Sequence, residues 1–172
     1  DYIDAPGELR SAVDGALIET LAGVVDEWEF SPDGSRLLIA YENAPYELRS
    51  AADGALIATL GEAFVRWEFS PDGNLLLVAH GDASGELRSA ANGALIATLA
   101  GEVVSWEFSP NENLLLVAYA DAPGELRSAA DDALIAPLVD RWGFNPDGSR
   151  LLIGFTDASW ELRDGSDGTR IE

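Results

Sequence analysis

The sequence Trp-Glu-Phe-Ser-Pro occurs three times in this chain of 172 residues, and no other feature restricts the fold as strongly. The copies begin at Trp28, Trp67 and Trp106, and a fourth, Trp-Gly-Phe-Asn-Pro, begins at Trp142, so the spacings are 39, 39 and 36 residues. A catalytic motif is needed only once, whereas a motif at a fixed period is typical of repeat architectures. The chain is therefore predicted to consist of copies of one structural unit.

Each unit contains four short strand candidates separated by turn residues. In the first complete unit they lie at 24–30, 36–41, 46–50 and 55–60, with Ser-Pro-Asp-Gly and Asp-Gly turns between them. No segment shows a sustained 3.6-residue apolar pattern, so essentially no helix is expected. Four short antiparallel strands in each unit of about 40 residues predict an all-β fold, a β-propeller of four-stranded antiparallel blades.

The motifs also carry a family resemblance. The segment from Trp67, Trp-Glu-Phe-Ser-Pro-Asp-Gly-Asn-Leu-Leu-Leu-Val-Ala-His-Gly-Asp, resembles the core of WD-repeat β-propellers. The repeated Glu-Leu-Arg-Ser stands where that family has Leu-Trp-Asp, and the family's Gly-His pair is absent. The resemblance therefore implies the fold of the family but not its hydrogen-bonded Trp-Asp network.

Counting strands from the first residue indicates an incomplete ring. One repeat domain spans 1–172, with a half blade at 1–22, complete blades at 23–61, 62–100 and 101–138, and a terminal blade at 139–172. WD-repeat rings commonly complete one blade with strands from both termini, and the terminal blade is available for such sharing. Three arrangements stay open: a closed four-bladed monomer, two chains that form a larger ring, and a piece of a longer propeller.

Side chains that recur in every unit are expected to build the blades. The alternation of Trp and Phe places both on one face of the first strand, which predicts a repeated core of Trp28, Phe30, Trp67, Phe69, Trp106, Phe108, Trp142 and Phe144. The Glu between them points to the other face. We expect ion pairs between these carboxylates and the arginine of each Glu-Leu-Arg, namely Glu29, Glu68 and Glu107 with Arg10, Arg49, Arg88, Arg127 and Arg163. The alternative is that the carboxylates line a wet central channel.

Composition excludes several classes of function. The net charge of −21 repels phosphate backbones, which argues against nucleic-acid binding and favours a protein partner. No apolar run approaches the roughly 20 residues of a membrane-spanning helix, so no membrane association is predicted. With no cysteine and one histidine, His80 in a slot that Tyr41 and Tyr119 fill elsewhere, no metal or cofactor site is expected.

The uniformity of the repeats bears on function. Loops of successive units are nearly copies, whereas an active site draws different side chains from different blades, so the chain is predicted not to be an enzyme. We expect a scaffold for protein–protein interaction or self-assembly, with repeats that were recently amplified or designed. The alternative is a multivalent carbohydrate-binding propeller with Tyr46 and Trp160 as exposed aromatics.

One turn departs from the repeat. The third unit has Pro-Asn-Glu where the others have Pro-Asp-Gly, which puts Glu112 in the position of Gly73. A left-handed backbone costs a residue with a Cβ about 1 kcal/mol. We therefore expect the turn to relax, with Asn111 or Asn113 at positive φ instead of Glu112.

Overall fold

The structure, a computed structural model, describes residues 6–61, 64–81, 84–99, 101–137, 141–155 and 159–171. These residues contain no helix, and every sheet is antiparallel. The strands are β1 (Glu8–Arg10), β2 (Leu17–Thr20), β3 (Val25–Phe30), β4 (Arg36–Tyr41), β5 (Ala44–Ser50), β6 (Leu56–Thr59), β7 (Phe64–Phe69), β8 (Leu75–His80), β9 (Gly85–Ser89), β10 (Leu95–Leu99), β11 (Val103–Phe108), β12 (Leu114–Tyr119), β13 (Glu125–Ser128), β14 (Leu134–Pro137), β15 (Arg141–Phe144), β16 (Arg150–Gly154) and β17 (Trp160–Asp164).

Consecutive strands pair into blades. Three sheets have four strands each, β3–β6, β7–β10 and β11–β14, and they are called here blade 1, blade 2 and blade 3. Before them stands a two-stranded sheet, β1–β2, the half-blade, and after them a three-stranded sheet, β15–β17, blade 4. The predicted all-β propeller fold is confirmed.

Serine, aspartate and glycine shape the turn between the first two strands of a blade. In blade 1 the Gly34 N–H donates to the Ser31 carbonyl at 2.8 Å, with Gly34 at φ 71°. Asp33 Oδ1 accepts from Ser31 Oγ at 2.5 Å and from the Ser35 N–H at 3.0 Å. These hydrogen bonds lower the pKa of Asp33 to about 2. The turn therefore holds its aspartate ionised.

The same turn in blade 3 corrects one expectation. Glu112 has φ 68° and its N–H donates to the Ser109 carbonyl at 2.8 Å, as Gly34 does to Ser31. The expectation that Asn111 or Asn113 would take the left-handed conformation is wrong. The hydrogen bonds of the hairpin hold the position, and Asn111 is engaged through its amide with the carbonyls of Gly148 and Gly165 at 2.9 Å.

The core lies between successive blades. The second strand of each complete blade is almost continuously buried, as its apolar run predicted. The cluster between blades 1 and 2 joins Leu38, Leu48 and Leu60 to Phe64, Phe69, Leu76 and Val78. Equivalent clusters join the half-blade to blade 1, blade 2 to blade 3 and blade 3 to blade 4. No helix in the described part of the chain is long and apolar enough to cross a membrane.

Candidate functional site

The repeated arginines bind a different glutamate from the one predicted. Each pairs with the glutamate two residues earlier, because residues i and i+2 of a strand share a face. The pairs are Arg10–Glu8 at 2.8 Å, Arg49–Glu47 at 2.7 Å, Arg88–Glu86 at 2.7 Å, Arg127–Glu125 at 2.8 Å and Arg163–Glu161 at 2.8 Å. Among the described residues these arginines thus have other partners, and Glu29, Glu68 and Glu107 form no ion pair with them. The i, i+2 spacing within Glu-Leu-Arg was the signal that would have indicated the observed pairs.

Each arginine also closes the next turn. Arg49 Nη1 donates to the Gly54 carbonyl at 2.7 Å, and Arg88 does the same to Gly93 at 2.8 Å. The aromatic residue on the second strand also contacts the ion pair: the Tyr41 hydroxyl donates to Glu47 Oε2 at 2.6 Å. Burial, and then the carboxylate of Glu47, raise the pKa of Tyr41 to about 12. The motif is therefore a structural clasp for each blade.

His80 takes the tyrosine slot in blade 2. Its ring meets Phe64 edge-on with centroids 4.8 Å apart, and Nε2 lies 3.5 Å from Glu86 Oε2. Within the described residues, no group of three or more His, Asp or Glu side chains is arranged to hold a metal ion. His80 thus lies in the packing position that its sequence context predicted.

The glutamates of the Trp-Glu-Phe motif lie on the first strand of blades 1 to 3. Burial raises the pKa of Glu29 and the charge of Glu68 adds to this, while the Trp67 indole opposes it. Burial and the charge of Glu68 also raise the pKa of Glu107, against the effect of Trp142. Glu68 therefore repels both Glu29 and Glu107, and the three carboxylates form one row of like charges across the first strands of blades 1 to 3.

A cleft of about 530 Å³ adjoins this row, between the first strands of blades 1 and 2. Asp26, Glu29, Arg66 and Trp67 are among its lining residues. The Arg66 guanidinium lies 4.2 Å from the centroid of the Trp106 ring, on the next blade. The first strands of blades 1 and 2 thus present a surface of both charges, and the guanidinium of Arg66 stacks on the Trp106 ring.

The four equivalent tryptophans are not equally buried. Trp106 is 6% exposed, whereas Trp28 is 64% exposed and its neighbour Phe30 is 47% exposed. Trp67 and Trp142 are half-buried, Phe69 and Phe108 are buried and Phe144 is half-buried. The prediction that all four tryptophans belong to a repeated core is wrong for Trp28, because among the described residues the half-blade in front of it has only β1 and β2, which leave its ring uncovered.

A cavity lies in front of blade 1. About 340 Å³ lies between the half-blade and blade 1, lined by Leu9, Leu21, Trp28, Phe30, Leu37 and Ile39, among others. In the described part of the chain β1 pairs with β2 alone, so its other edge has free backbone donors and acceptors. An apolar wall and an unpaired strand edge thus adjoin each other at this end.

The opposite end of the chain exposes a complementary surface. Leu152 on β16 is 44% exposed, whereas the leucines in its place in the complete blades, Leu38, Leu77 and Leu116, are fully buried. Trp160 begins β17 and is 53% exposed. No further blade follows to cover this face within the described residues. Both ends of the described chain therefore expose large apolar side chains.

Of the two aromatics expected in exposed loops, only one is exposed. Tyr46 is half-buried in β5, with its ring centroid 4.8 Å from that of Phe64 and its hydroxyl donating to the Phe64 carbonyl at 3.2 Å. Trp160 lies against Gly154, where a Cβ would approach the indole to 2.8 Å. Tyr46 therefore packs between blades and is not available for stacking on a sugar.

Comparison of the sequence with known protein families finds no match, and no curated protein matches it either. The fold does have relatives among solved structures. A dihydro-heme d1 dehydrogenase, NirN, in complex with DHE, matches with a TM-score of 0.58 at 19% identity, over 98% of this chain and 41% of that one. The computationally designed Ika8 protein matches with a TM-score of 0.60 at 15% identity, over 98% of this chain and 55% of that one.

These similarities concern the fold alone, and the chain spans about half the length of the structures it matches. They fit a β-propeller-like repeat scaffold, while membership of the WD-repeat family stays a prediction. The prediction that the chain is not an enzyme is contradicted, because a dehydrogenase has the same fold. Repetition of blades and near-identical loops are therefore no ground for excluding catalysis.

Proposed function

We propose that this chain is a β-propeller scaffold that assembles with protein through its open ends, and that its first partner is a second copy of itself. The observation that carries the proposal is the exposure of Trp28, 64% against 6% for the equivalent Trp106. The same tryptophan position is buried in blade 3 and exposed in blade 1. An exposed apolar side chain at a position that is otherwise core is typical of a protein-binding surface. This chain covers 41% and 55% of the two similar solved structures, so a fold of that size has room for a second copy.

The two ends can associate head to tail. Within the chain, the leucines of one blade pack against the Trp and Phe of the following blade, as between blades 1 and 2. Blade 4 presents the receiving face with Leu152, and blade 1 presents Trp28 and Phe30. If blade 4 of each copy packs against blade 1 of the other, the two copies close one ring with two-fold symmetry. The near-identity of the repeats is in keeping with recent amplification or design.

Carbohydrate binding has less support. The position before each Glu-Leu-Arg would have to hold an exposed aromatic in several blades, but the residues there are Gly7, Tyr46, Gly85, Gly124 and Trp160. Tyr46 is packed against Phe64, which leaves Trp160 alone.

The test is the mass of the isolated chain by light scattering after size exclusion, over a range of concentrations in 10 mM and in 1 M NaCl. Two copies give twice 18.3 kDa. Because salt screens the repulsion between chains of net charge −21, the dimer should be favoured at high salt. Trp28→Ser should weaken association, whereas Val13→Ser, at a 97% exposed turn residue of the half-blade, should not. A mass of one chain under every condition would contradict self-association.

A further inference from the structure

The chain carries the same strand at both ends. β1 and β17 both read Glu-Leu-Arg, and both form the same clasp. Arg10 binds Glu8 at 2.8 Å and the Gly15 carbonyl at 2.8 Å, and Arg163 binds Glu161 at 2.8 Å and the Gly168 carbonyl at 2.8 Å. Each is built as the third strand of a blade. β17 fills that place beside β16, whereas β1 has no second strand beside it among the residues that the structure describes.

The space in front of blade 1 fits the hairpin β15–β16. Between blades 1 and 2, three leucines of blade 1 cover the apolar face of blade 2: Leu38 on β4, Leu48 on β5 and Leu60 directly after β6. The half-blade supplies the counterparts of the last two, Leu9 and Leu21. The counterpart of Leu38 is missing, and the exposed Leu152 on β16 is the residue in that repeat position.

The residue before Glu-Leu-Arg in the third strand packs against the next blade, and it differs between β1 and β17. A Cβ on Gly7 would lie 2.6 Å from Val25 Cγ2, and one on Gly85 would lie 2.9 Å from Val103 Cγ2, so glycine is matched to valine. Where the third strand instead carries Tyr46, the next blade carries Phe64. β17 carries Trp160 in this position, and because even a Cβ on Gly7 would lie 2.6 Å from Val25 Cγ2, we expect the indole to fit less well than glycine there.

The number of paired strands favours the same choice. Beside β17 the described chain offers only one isolated bridge, Arg163 with Arg170, so blade 4 lacks a regular fourth strand. β1 arrives with β2 already paired to it through three residue pairs. Exchanging β17 for β1 on β16 keeps one Glu-Leu-Arg strand in the ladder, adds the fourth strand and buries Trp28, Phe30 and Leu152.

We propose that two copies of this chain exchange strands: the β15–β16 hairpin of one copy pairs with β1 of the other, and β1 displaces β17. This inference rests on the proposed self-association and specifies its route. The completed blade has the order β15, β16, β1, β2, with Leu152 opposite Leu9 as Leu38 is opposite Leu48. The second copy is the occupant of the cavity in front of blade 1.

A disulfide that fastens β17 to its own β16 tests the exchange. The chain has no cysteine, and Leu152 lies directly opposite Leu162. Opposed residues of antiparallel strands are within disulfide range. Oxidised Leu152→Cys/Leu162→Cys cannot release β17, so its dimerisation should weaken about tenfold or more, and reduction should restore it. The reduced form is the matched control, because it carries the same two substitutions.

Cross-linking then identifies the strand that replaces β17. A mixture of Leu9→Cys chains and Leu152→Cys chains should give a disulfide-linked pair that contains one of each, while neither variant alone should cross-link. If the wild type dimerises and the oxidised Leu152→Cys/Leu162→Cys variant dimerises equally well, strand exchange is overturned and self-association stands. If Leu9→Cys/Leu152→Cys forms its disulfide within one chain, the ring closes on its own hairpin and the exchange between copies is overturned. A wild type that stays monomeric contradicts the proposed function itself.

Discussion

Arg49 Nε lies 2.7 Å from Glu47 Oε2 in a pair whose side chains are only 11% and 14% exposed. The same carboxylate accepts from the Tyr41 hydroxyl, and the same guanidinium donates to the Gly54 carbonyl. The pair therefore joins the second strand, the third strand and the following turn of blade 1. In the half-blade the equivalent pair, Arg10 with Glu8, is 51% and 44% exposed.

Arg49→Ala should destabilise the chain by about 2–4 kcal/mol, because it leaves the largely covered Glu47 carboxylate without its counter-charge. Arg10→Ala is the matched control, and solvent screening limits its cost to about 1 kcal/mol or less. Urea unfolding followed by circular dichroism measures both at a concentration where the chain is monomeric. Equal losses for the two variants would show that burial of the pair has no effect on its strength.

The unequal burial of the repeated tryptophans gives a second prediction. Trp106→Ala should cost about 3–5 kcal/mol, as for a large aromatic in a packed core. Trp28→Ala should cost about 1 kcal/mol or less in the isolated chain, because its ring is 64% exposed. Thermal melts at low protein concentration compare the two. A large loss for Trp28→Ala in a monomer would mean that the cavity in front of blade 1 is already covered.

Among the described residues, two that are not glycine adopt positive φ, and they should respond differently to replacement by glycine. Glu112→Gly should stabilise the chain by about 0.5–1 kcal/mol, because glycine relieves the left-handed backbone and removes a carboxylate that lies near Asp72. Asp132 also has positive φ, but its carboxylate binds Arg127 Nη1 at 2.5 Å. Asp132→Gly should therefore be neutral or destabilising. Chemical unfolding of both variants measures this difference, and a gain from Asp132→Gly would show that backbone strain outweighs the ion pair.

Glu68→Gln should stabilise the chain at neutral pH, because the Glu68 charge adds to the burial that already raises the pKa values of Glu29 and Glu107. A carboxyl whose pKa is raised by folding destabilises the fold when ionised, so the cost is present above the raised pKa. It disappears as the pH falls below the unfolded value of 4.5.

The benefit of Glu68→Gln should therefore be about 0.5 kcal/mol at pH 7 after solvent screening and should vanish near pH 4. Glu42→Gln, at an exposed turn outside the row, is the control for the loss of one negative charge. Melting temperatures from pH 4 to 7 measure the effect, together with the pKa values of Glu29 and Glu107 by NMR. A benefit that is independent of pH would mean that repulsion within the row is not its cause.

Much of the fold could be predicted from the sequence, because the signals involved are local. The apolar run 36–41 is a strand candidate in the sequence, and β4 has these bounds and is buried along almost all of its length. The exposure of Trp28 could not be predicted from its motif, because burial depends on which strands stand in front of it. Among the described residues the half-blade in front of Trp28 consists of β1 and β2, and the motif around Trp28 carries no information about that neighbour.

The partners of the repeated charges were predicted less well than the strands. The alternation within Trp-Glu-Phe shows which face Glu29 takes, but not whether an arginine on another strand reaches that face. Each arginine pairs instead with a glutamate on its own strand, as Arg49 does with Glu47. This pairing depends only on the spacing within the strand and not on how distant strands are arranged. The conformation of Glu112 was mispredicted for a related reason: the intrinsic preference of one residue was outweighed by hairpin hydrogen bonds that the neighbouring strands impose.

Within each of the five sheets, the strands that are hydrogen-bonded to each other are neighbours along the chain, and the isolated bridge between Arg163 and Arg170 is equally local. Such a pattern has low contact order, so each blade can form without first closing a long loop, and folding should be fast for an all-β protein. It also permits folding in the order of synthesis, with the half-blade and blade 1 formed while β16 is still to be translated. An intermediate stalled between blades would expose a face like that of Trp28 and Phe30, so slow elongation between blade boundaries should favour aggregation of nascent chains.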